Sequence, residues 1–338
     1  MSDAQPDFIQ LAALSIQGLQ PYQPGKPIEE LERELGISNV IKLASNENPL
    51  GMSLLAKQAV SGVLVDGARY PDGNGFILKS ALCDYFLNKQ QSVSADQLTL
   101  GNGSNDVLDI IMRAYANGES EVIFSQYAFA VYAISCQAVG AKAVVAPANS
   151  WGHDLTAMLS AITDKTKLVF IANPNNPTGT SISHGQLIAF MAKVPASVIV
   201  VLDEAYCEYI DEDEFPDGVS LLSLFSNLIV TRTFSKAWGL ASLRVGYAIS
   251  NAQIADVLNR VRQPFNVNSF ALAAAAAVLQ DMSYLDEGVE LNRSGMIQVQ
   301  NGLDELKLPY IPSKGNFITF NTCVDGLAVY QGLLREGV

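Results

Sequence analysis

Thr233-Phe234-Ser235-Lys236-Ala237-Trp238-Gly239-Leu240 places an amine among hydroxyls, and Arg244-Val245-Gly246 adds an arginine eight residues on. A lysine can condense with an aldehyde, while Thr233, Ser235 and Arg244 can offer donors and positive charge to a phosphate dianion. That combination could hold a phosphorylated aldehyde. A lysine beside a serine more often marks a solvated turn, so the assignment depends on partners elsewhere in the chain.

Asp203-Glu204-Ala205-Tyr206 follows the apolar run 198–202, and a carboxylate at the end of such a strand is costly unless something cationic meets it. A protonated pyridine nitrogen would serve, with Tyr206 donating to a phenolic oxygen on the same ring. An acidic turn is the alternative, favoured by Glu208, Asp211, Glu212, Asp213 and Glu214, which look like a solvated run. Asn173-Pro174-Asn175-Asn176-Pro177-Thr178-Gly179 makes a stiff turn whatever its role. On it, Asn176 could donate to the same phenolic oxygen and to a substrate. Gly101-Asn102-Gly103-Ser104-Asn105-Asp106 joins a strand to a helix with Ser104 as N-cap, a seat for one phosphate. It has neither a dinucleotide fingerprint nor a Walker lysine. Phe129 heads the next helix and can stack on a planar ring or serve as a core aromatic. Taken together, these groups describe a site for pyridoxal phosphate.

The elements that must position them alternate along the chain. Runs at 97–100, 122–124, 143–146, 168–172, 198–202, 228–231 and 246–249 predict seven strands of a mostly parallel sheet. Asn173, Asp203 and Thr233 each lie just past a run, at the carboxyl ends where open α/β sheets bind ligands. Helices are predicted at 106–116, 269–280 and 284–306, then a strand at 316–320 and a further helix. The implied division is an arm and part of a small domain at 1–45, a large domain at 46–262 and a small domain at 263–338.

Composition narrows the function classes. With 338 residues, 49% of them hydrophobic, the chain can bury a large core. A formal charge of −13 disfavours a nucleic-acid partner. The longest apolar run, 270–279, is too short for a membrane span of about 20 residues. The polar, acidic start of the chain does not read as a signal peptide, so a cytoplasmic protein is expected. Cys83, Cys136, Cys207 and Cys323 are widely spaced and read as core thiols, and His153 and His184 as surface or loop residues; no metal site is expected.

Six segments occur in one family's order: Tyr22-Gln23-Pro24-Gly25, Lys42-Leu43-Ala44-Ser45-Asn46-Glu47-Asn48-Pro49, Arg69-Tyr70-Pro71-Asp72-Gly73, the Asn-Pro turn, Asp203 to Tyr206, and Ser235 to Arg244. Over nearly its whole length the chain resembles the fold-type-I pyridoxal-phosphate aminotransferases, and among them the histidinol-phosphate aminotransferases. The resemblance implies a three-layer large domain and a smaller α/β domain. It implies that Lys236 holds the cofactor and moves protons, that Asp203 pairs with the ring nitrogen, and that Asn176 and Tyr206 hold the phenolic oxygen. Ser104, Asn105, Thr233, Ser235 and Arg244 would surround the phosphate, with Phe129 on the ring where many relatives carry tyrosine. Tyr70 would reach the cofactor of the neighbouring subunit of a homodimer, and Tyr22, Asn46 and Asn176 would face substrate.

The implied reaction is amino transfer between L-histidinol phosphate and 2-oxoglutarate, a step of histidine biosynthesis with ping-pong kinetics. Relatives continue past position 338 with a segment carrying substrate-anion arginines. Arg335 precedes that region and does not replace them, so weak binding of anionic substrates is expected of this chain. An aromatic aminotransferase or a threonine-phosphate decarboxylase would share the whole cofactor set, and carbon dioxide release separates the decarboxylase. A non-catalytic regulator on the same scaffold is a third reading. The acidic charge and the retained lysine, aspartate, tyrosine and arginine oppose it.

Overall fold

The central sheet has seven strands, most of them buried along their length as layers covered on both faces require, while the edge strand at Lys142–Ala146 is largely exposed. A computed structural model describes residues 7–23, 25–210 and 215–338. Met1 to Pro6 of the polar start, Pro24 of the first motif and the acidic residues Asp211, Glu212, Asp213 and Glu214 lie outside it.

In chain order the strands are β1 (Leu98–Gly101), β2 (Glu121–Ser125), β3 (Lys142–Ala146), a small hairpin of β4 (Ala148–Asn149) and β5 (Gly152–His153), then β6 (Thr166–Ala172), β7 (Ile199–Asp203), β8 (Leu228–Thr233) and β9 (Gly246–Ser250). The main sheet runs β1-β9-β8-β7-β6-β2-β3. Its four pairings from β8 to β3 are parallel, and β9 runs antiparallel to both β8 and β1. The predicted strands hold, each with ends moved by one or two residues.

Alternate residues of each strand enter different cores. Ile123, Val169, Ile171, Val200, Leu202 and Val230 face one helical layer. Val122, Phe124, Leu168, Phe170, Val201 and Ile229 face the other. The result is the three-layer α/β architecture that the sequence implied.

The helices begin with α1 (Phe8–Leu11), α2 (Leu14–Gln17) and α3 (Ile28–Leu35); α4 (Leu54–Val63) and α5 (Phe76–Asn88) follow. Next come α6 (Ser104–Tyr115), α7 (Ala130–Ala138), α8 (Leu155–Ser160), α9 (His184–Met191), α10 (Gly218–Leu221) and α11 (Ala252–Val261). The alanine-rich α12 (Ser269–Val278) packs on α4 and α5, its small side chains allowing close approach. The long α13 (Met282–Glu305), the hairpin β10 (Tyr310–Ile311) and β11 (Thr319–Phe320), and α14 (Gly326–Arg335) complete the chain.

Several expectations change. Ser104 is the first helical residue and Gly103 is the cap; the Asp106 carboxylate accepts the Asn102 N–H at 2.8 Å and closes the turn instead. Of the strand expected at 316–320 only Thr319 and Phe320 pair, because Asn316 and Phe317 are drawn to the cleft side chains described below. Glu208 is not solvated: it is half-buried and accepts from the Trp238 indole at 3.0 Å. Cys323 is exposed rather than a core thiol, while Cys136 is buried. His153 is no surface residue: Nε2 bonds the Ala172 carbonyl at 2.8 Å, and burial lowers its pKa. No helix among the described residues is long and apolar enough to cross a membrane, and no His, Cys, Asp and Glu grouping there could hold a metal.

Candidate active site

The carboxyl ends of β6, β7 and β8 bring the Asn-Pro turn, Asp203 to Tyr206 and Thr233 to Lys236 to one cleft. The turn is knotted by its own amides. Asn173 exchanges bonds with the Ile182 backbone, and the Asn175 side chain donates to the Tyr127 carbonyl at 2.8 Å. Asn176 is thereby left free to point at the cleft.

Lys236 sits at the centre. Its Nζ donates to the Ser45 carbonyl at 2.8 Å and lies 5.7 Å from the centre of the Tyr206 ring. Burial lowers its pKa to about 8, assisted by Arg244 and opposed by Glu47. At pH 7.5 about a quarter of such amines are neutral, against about one in a thousand at an ordinary lysine pKa. Only the neutral amine is a nucleophile or a base.

Beside it, the Tyr206 hydroxyl oxygen accepts from Asn46 Nδ2 at 2.9 Å and from Asn176 Nδ2 at 3.0 Å. Two amides occupy its lone pairs, so its own proton is left to donate onward. Burial pushes the Tyr206 pKa up to about 12, against the pull of those two amides.

Asp203 is fully enclosed. Tyr132 donates to it at 2.7 Å and Thr231 at 3.1 Å, and among the described residues it forms no ion pair. Burial raises its pKa despite these donors. Thr231 is its register partner on β8, and Tyr132 lies three residues along from Phe129, whose ring meets it edge-on at 5.9 Å. Neither Tyr132 nor Thr231 is singled out by sequence reasoning. The register of β7 on β8 and the helical spacing from Phe129 were the available signals.

An anion cradle lies at the start of α6. Arg244 Nη1 donates to Ser235 Oγ at 3.2 Å and to the Ala241 carbonyl at 2.9 Å, and Thr233 Oγ1 accepts from the Ser235 N–H at 3.1 Å. Gly103, at φ +86°, allows the guanidinium in: a Cβ there would lie 2.3 Å from Arg244 Nη2. A Cβ on Gly246 would lie 2.4 Å from the Ser104 nitrogen. Both glycines are needed for Arg244 and the helix N-terminus to meet. Ser104 and Asn105 form the first turn of that helix.

Pyridoxal phosphate fits this donor set. The cradle suits its phosphate, the unpaired buried carboxylate of Asp203 suits a cationic ring nitrogen, and the Tyr206 proton suits its phenolic oxygen. Two expected residues stand apart. Tyr22 is half exposed. Tyr70 is 83% exposed and stacks on Phe265 at 4.8 Å, away from this chain's own cluster.

Residues 38–338 match the model of the class I and II aminotransferases. Histidinol-phosphate aminotransferase 2 of Pseudomonas aeruginosa is 57% identical over 98% of this chain and 89% of its own length. Histidinol-phosphate aminotransferase 1 of Nitrosococcus oceani is 52% identical over 98% and 88%. The crystal structure of histidinol-phosphate aminotransferase from Sinorhizobium meliloti in complex with pyridoxal-5'-phosphate superimposes with a TM-score of 0.88 at 28% identity, over 97% of this chain and 88% of that one. By sequence, fold and site, the chain belongs to the class I and II aminotransferase family and, within it, to the histidinol-phosphate aminotransferases.

Proposed function

We propose that this chain transfers the amino group of L-histidinol phosphate to 2-oxoglutarate, with pyridoxal phosphate as cofactor, giving imidazole acetol phosphate and glutamate in histidine biosynthesis. The observation that carries the reading is Lys236, an amine whose pKa burial lowers to about 8, held between the Ser45 carbonyl and Tyr206 in a cleft with an anion cradle. Bound there, the cofactor supplies the electron-withdrawing ring that makes the α-proton of an amino donor acidic.

This chain's residues do the rest. Lys236 would take the proton from the α-carbon of the donor and hand it to the cofactor's aldehyde carbon, C4′, across the nitrogen between them. Asp203 keeps the ring nitrogen protonated, and Tyr206 and Asn176 donate to the phenolic oxygen. Arg244, Ser235, Thr233, Ser104 and Asn105 hold the phosphate, while Phe129 covers a ring face. Tyr22, Asn46 and Asn176 meet the substrate.

The active unit is a homodimer in which Tyr70 completes the partner's site. Support comes from large apolar side chains left bare in the first 80 residues: Leu43, Leu54, Val65, Phe76 and Ile77 are 60–90% exposed. The chain divides into an arm at 1–45, a large domain at 46–262 and a small domain at 263–338, supported by the separation of the β10-β11 hairpin from the main sheet. The enzyme works in the cytoplasm on small molecules.

The test is a half-reaction. Mixing cofactor-loaded protein with histidinol phosphate should convert the aldehyde form of the cofactor to the amine form, read by absorbance, and 2-oxoglutarate should restore it. An unchanged spectrum in protein that retains cofactor would remove the substrate assignment.

A further inference from the structure

We propose that Asn316 is a positioning residue for the cleft: from the C-terminal segment its amide holds the Ser45 and Asn46 turn, and that turn sets both Lys236 and Tyr206. The inference rests on the function proposed above. Ser45 and Asn46 have φ of +72° and +53°. Asparagine enters the left-handed region with modest cost and serine less readily, so a consecutive pair persists only where surrounding contacts over-determine it.

Three contacts do so. Lys236 Nζ donates to the Ser45 carbonyl at 2.8 Å, Asn46 Nδ2 donates to the Tyr206 hydroxyl at 2.9 Å, and Asn316 Nδ2 donates to the Asn46 carbonyl at 3.0 Å. The first two are the contacts that the chemistry needs. The third is the one made from outside the proposed chemical groups. A carbonyl can only accept, so the Asn316 amide nitrogen must face Asn46. It lies 3.3 Å from the Tyr209 hydroxyl as well.

Asn316 is itself anchored. The preceding Gly315 receives a bond from Asn292 at 3.4 Å, Lys314 N–H donates to the Gly179 carbonyl at 2.8 Å, and Phe317 packs edge-on against the Tyr206 ring at 5.1 Å. The segment therefore meets Tyr206 twice, through a ring and through the turn. If the Asn316 donor is lost, the turn can relax toward ordinary backbone. Ser45 then leaves the lysine and Asn46 leaves the tyrosine together.

Asn316→Asp keeps the shape but exchanges the donor for an ionisable acid; Asn316→Ala removes the group without adding charge. Each is loaded with pyridoxal phosphate and titrated from acid to alkali with no substrate present, following the cofactor absorbance. The pH midpoint should move by about half a unit to one unit in both variants, the size expected of one altered hydrogen bond. Turnover with histidinol phosphate should show kcat lower by about 10-fold and KM changed by less than about threefold, because geometry rather than binding is disturbed. The thermal midpoint should stay at the wild-type value. A wild-type titration midpoint in Asn316→Asp overturns the inference, as does a kcat loss fully accounted for by a lower thermal midpoint. If the wild-type protein itself shows no cofactor absorbance, the functional reading fails instead, and the two failures are distinct. Should Asn316→Ala fail to fold, Asn316→Leu, close in size and uncharged, carries the measurement.

Discussion

Asp203 and Glu204 leave the end of β7 as neighbours in sequence and enter opposite faces of the sheet. Asp203 is met by two neutral hydroxyls, Tyr132 and Thr231, and by no cation among the described residues. Glu204 is equally buried but receives two bonds from Arg232, at 2.7 and 2.9 Å, and the Gly218 N–H at 2.7 Å. Arg232 is held charged by the carboxylates around it and reaches Asp217 at 2.9 Å as well. The carboxylate on the structural face therefore has a fixed cationic partner. The one on the cleft side has no cationic partner among the described residues, which suits a cationic ring nitrogen.

The sharpest way to break this contrast is Asp203→Asn, which keeps the shape and removes the charge. Its activity should fall by about 10³-fold, in line with losing one strong electrostatic group from a water-excluded site. Its stability without cofactor should equal or exceed that of the wild type, since an unpaired buried charge is gone. Parallel measurement of kcat/KM and of urea unfolding checks both halves. A clear loss of stability would mean that Asp203 is a structural carboxylate after all.

The opposite face should respond the other way. Arg232→Met leaves Glu204 buried without its cation and should cost about 3–5 kcal/mol of stability, read by urea unfolding. Adding Glu204→Met should recover much of that loss, because replacing both partners by apolar groups is far milder than removing one. Cofactor affinity of the folded fraction should change little, since neither side chain is among those reaching the cleft. If the double variant is no more stable than the single one, the pair is not acting as a unit.

How much of this contrast was legible in the sequence differs between its two sides. Strand periodicity located all seven strands of the sheet and put Asn173, Asp203 and Thr233 at their carboxyl ends, because apolar continuity is a local signal. Local chemistry likewise pointed to Arg244, Ser235 and the glycine turn. What could not be read was the partner of each group. Tyr132 meets Asp203 from another element, Ser45 meets Lys236 from 191 residues away, and Asn316 lies 270 residues from Asn46. Contacts of that kind depend on topology rather than spacing. Glu208 was misread for a related reason: an acidic run looks solvated until a tryptophan from a distant turn covers one member of it.

The finest distinction between the two carboxylates is their pH dependence, and Glu204→Gln isolates one of them. Burial pushes the Glu204 pKa up to about 7, outweighing the attraction of Arg232, from an ordinary value of 4.5. Between those two values the folded state binds more protons here than the unfolded chain does. The contribution to stability is thus fully present below about pH 4.5 and is lost as pH rises through about 7. Glutamine carries no such proton, so the difference in unfolding free energy between wild type and variant should drift against the wild type across that window. The slope is at most about 1.4 kcal/mol per pH unit. Urea midpoints measured every half unit would reveal it. Should the drift favour the wild type as pH rises, Arg232 outweighs burial and Glu204 is ionised across that window, making its contrast with Asp203 sharper.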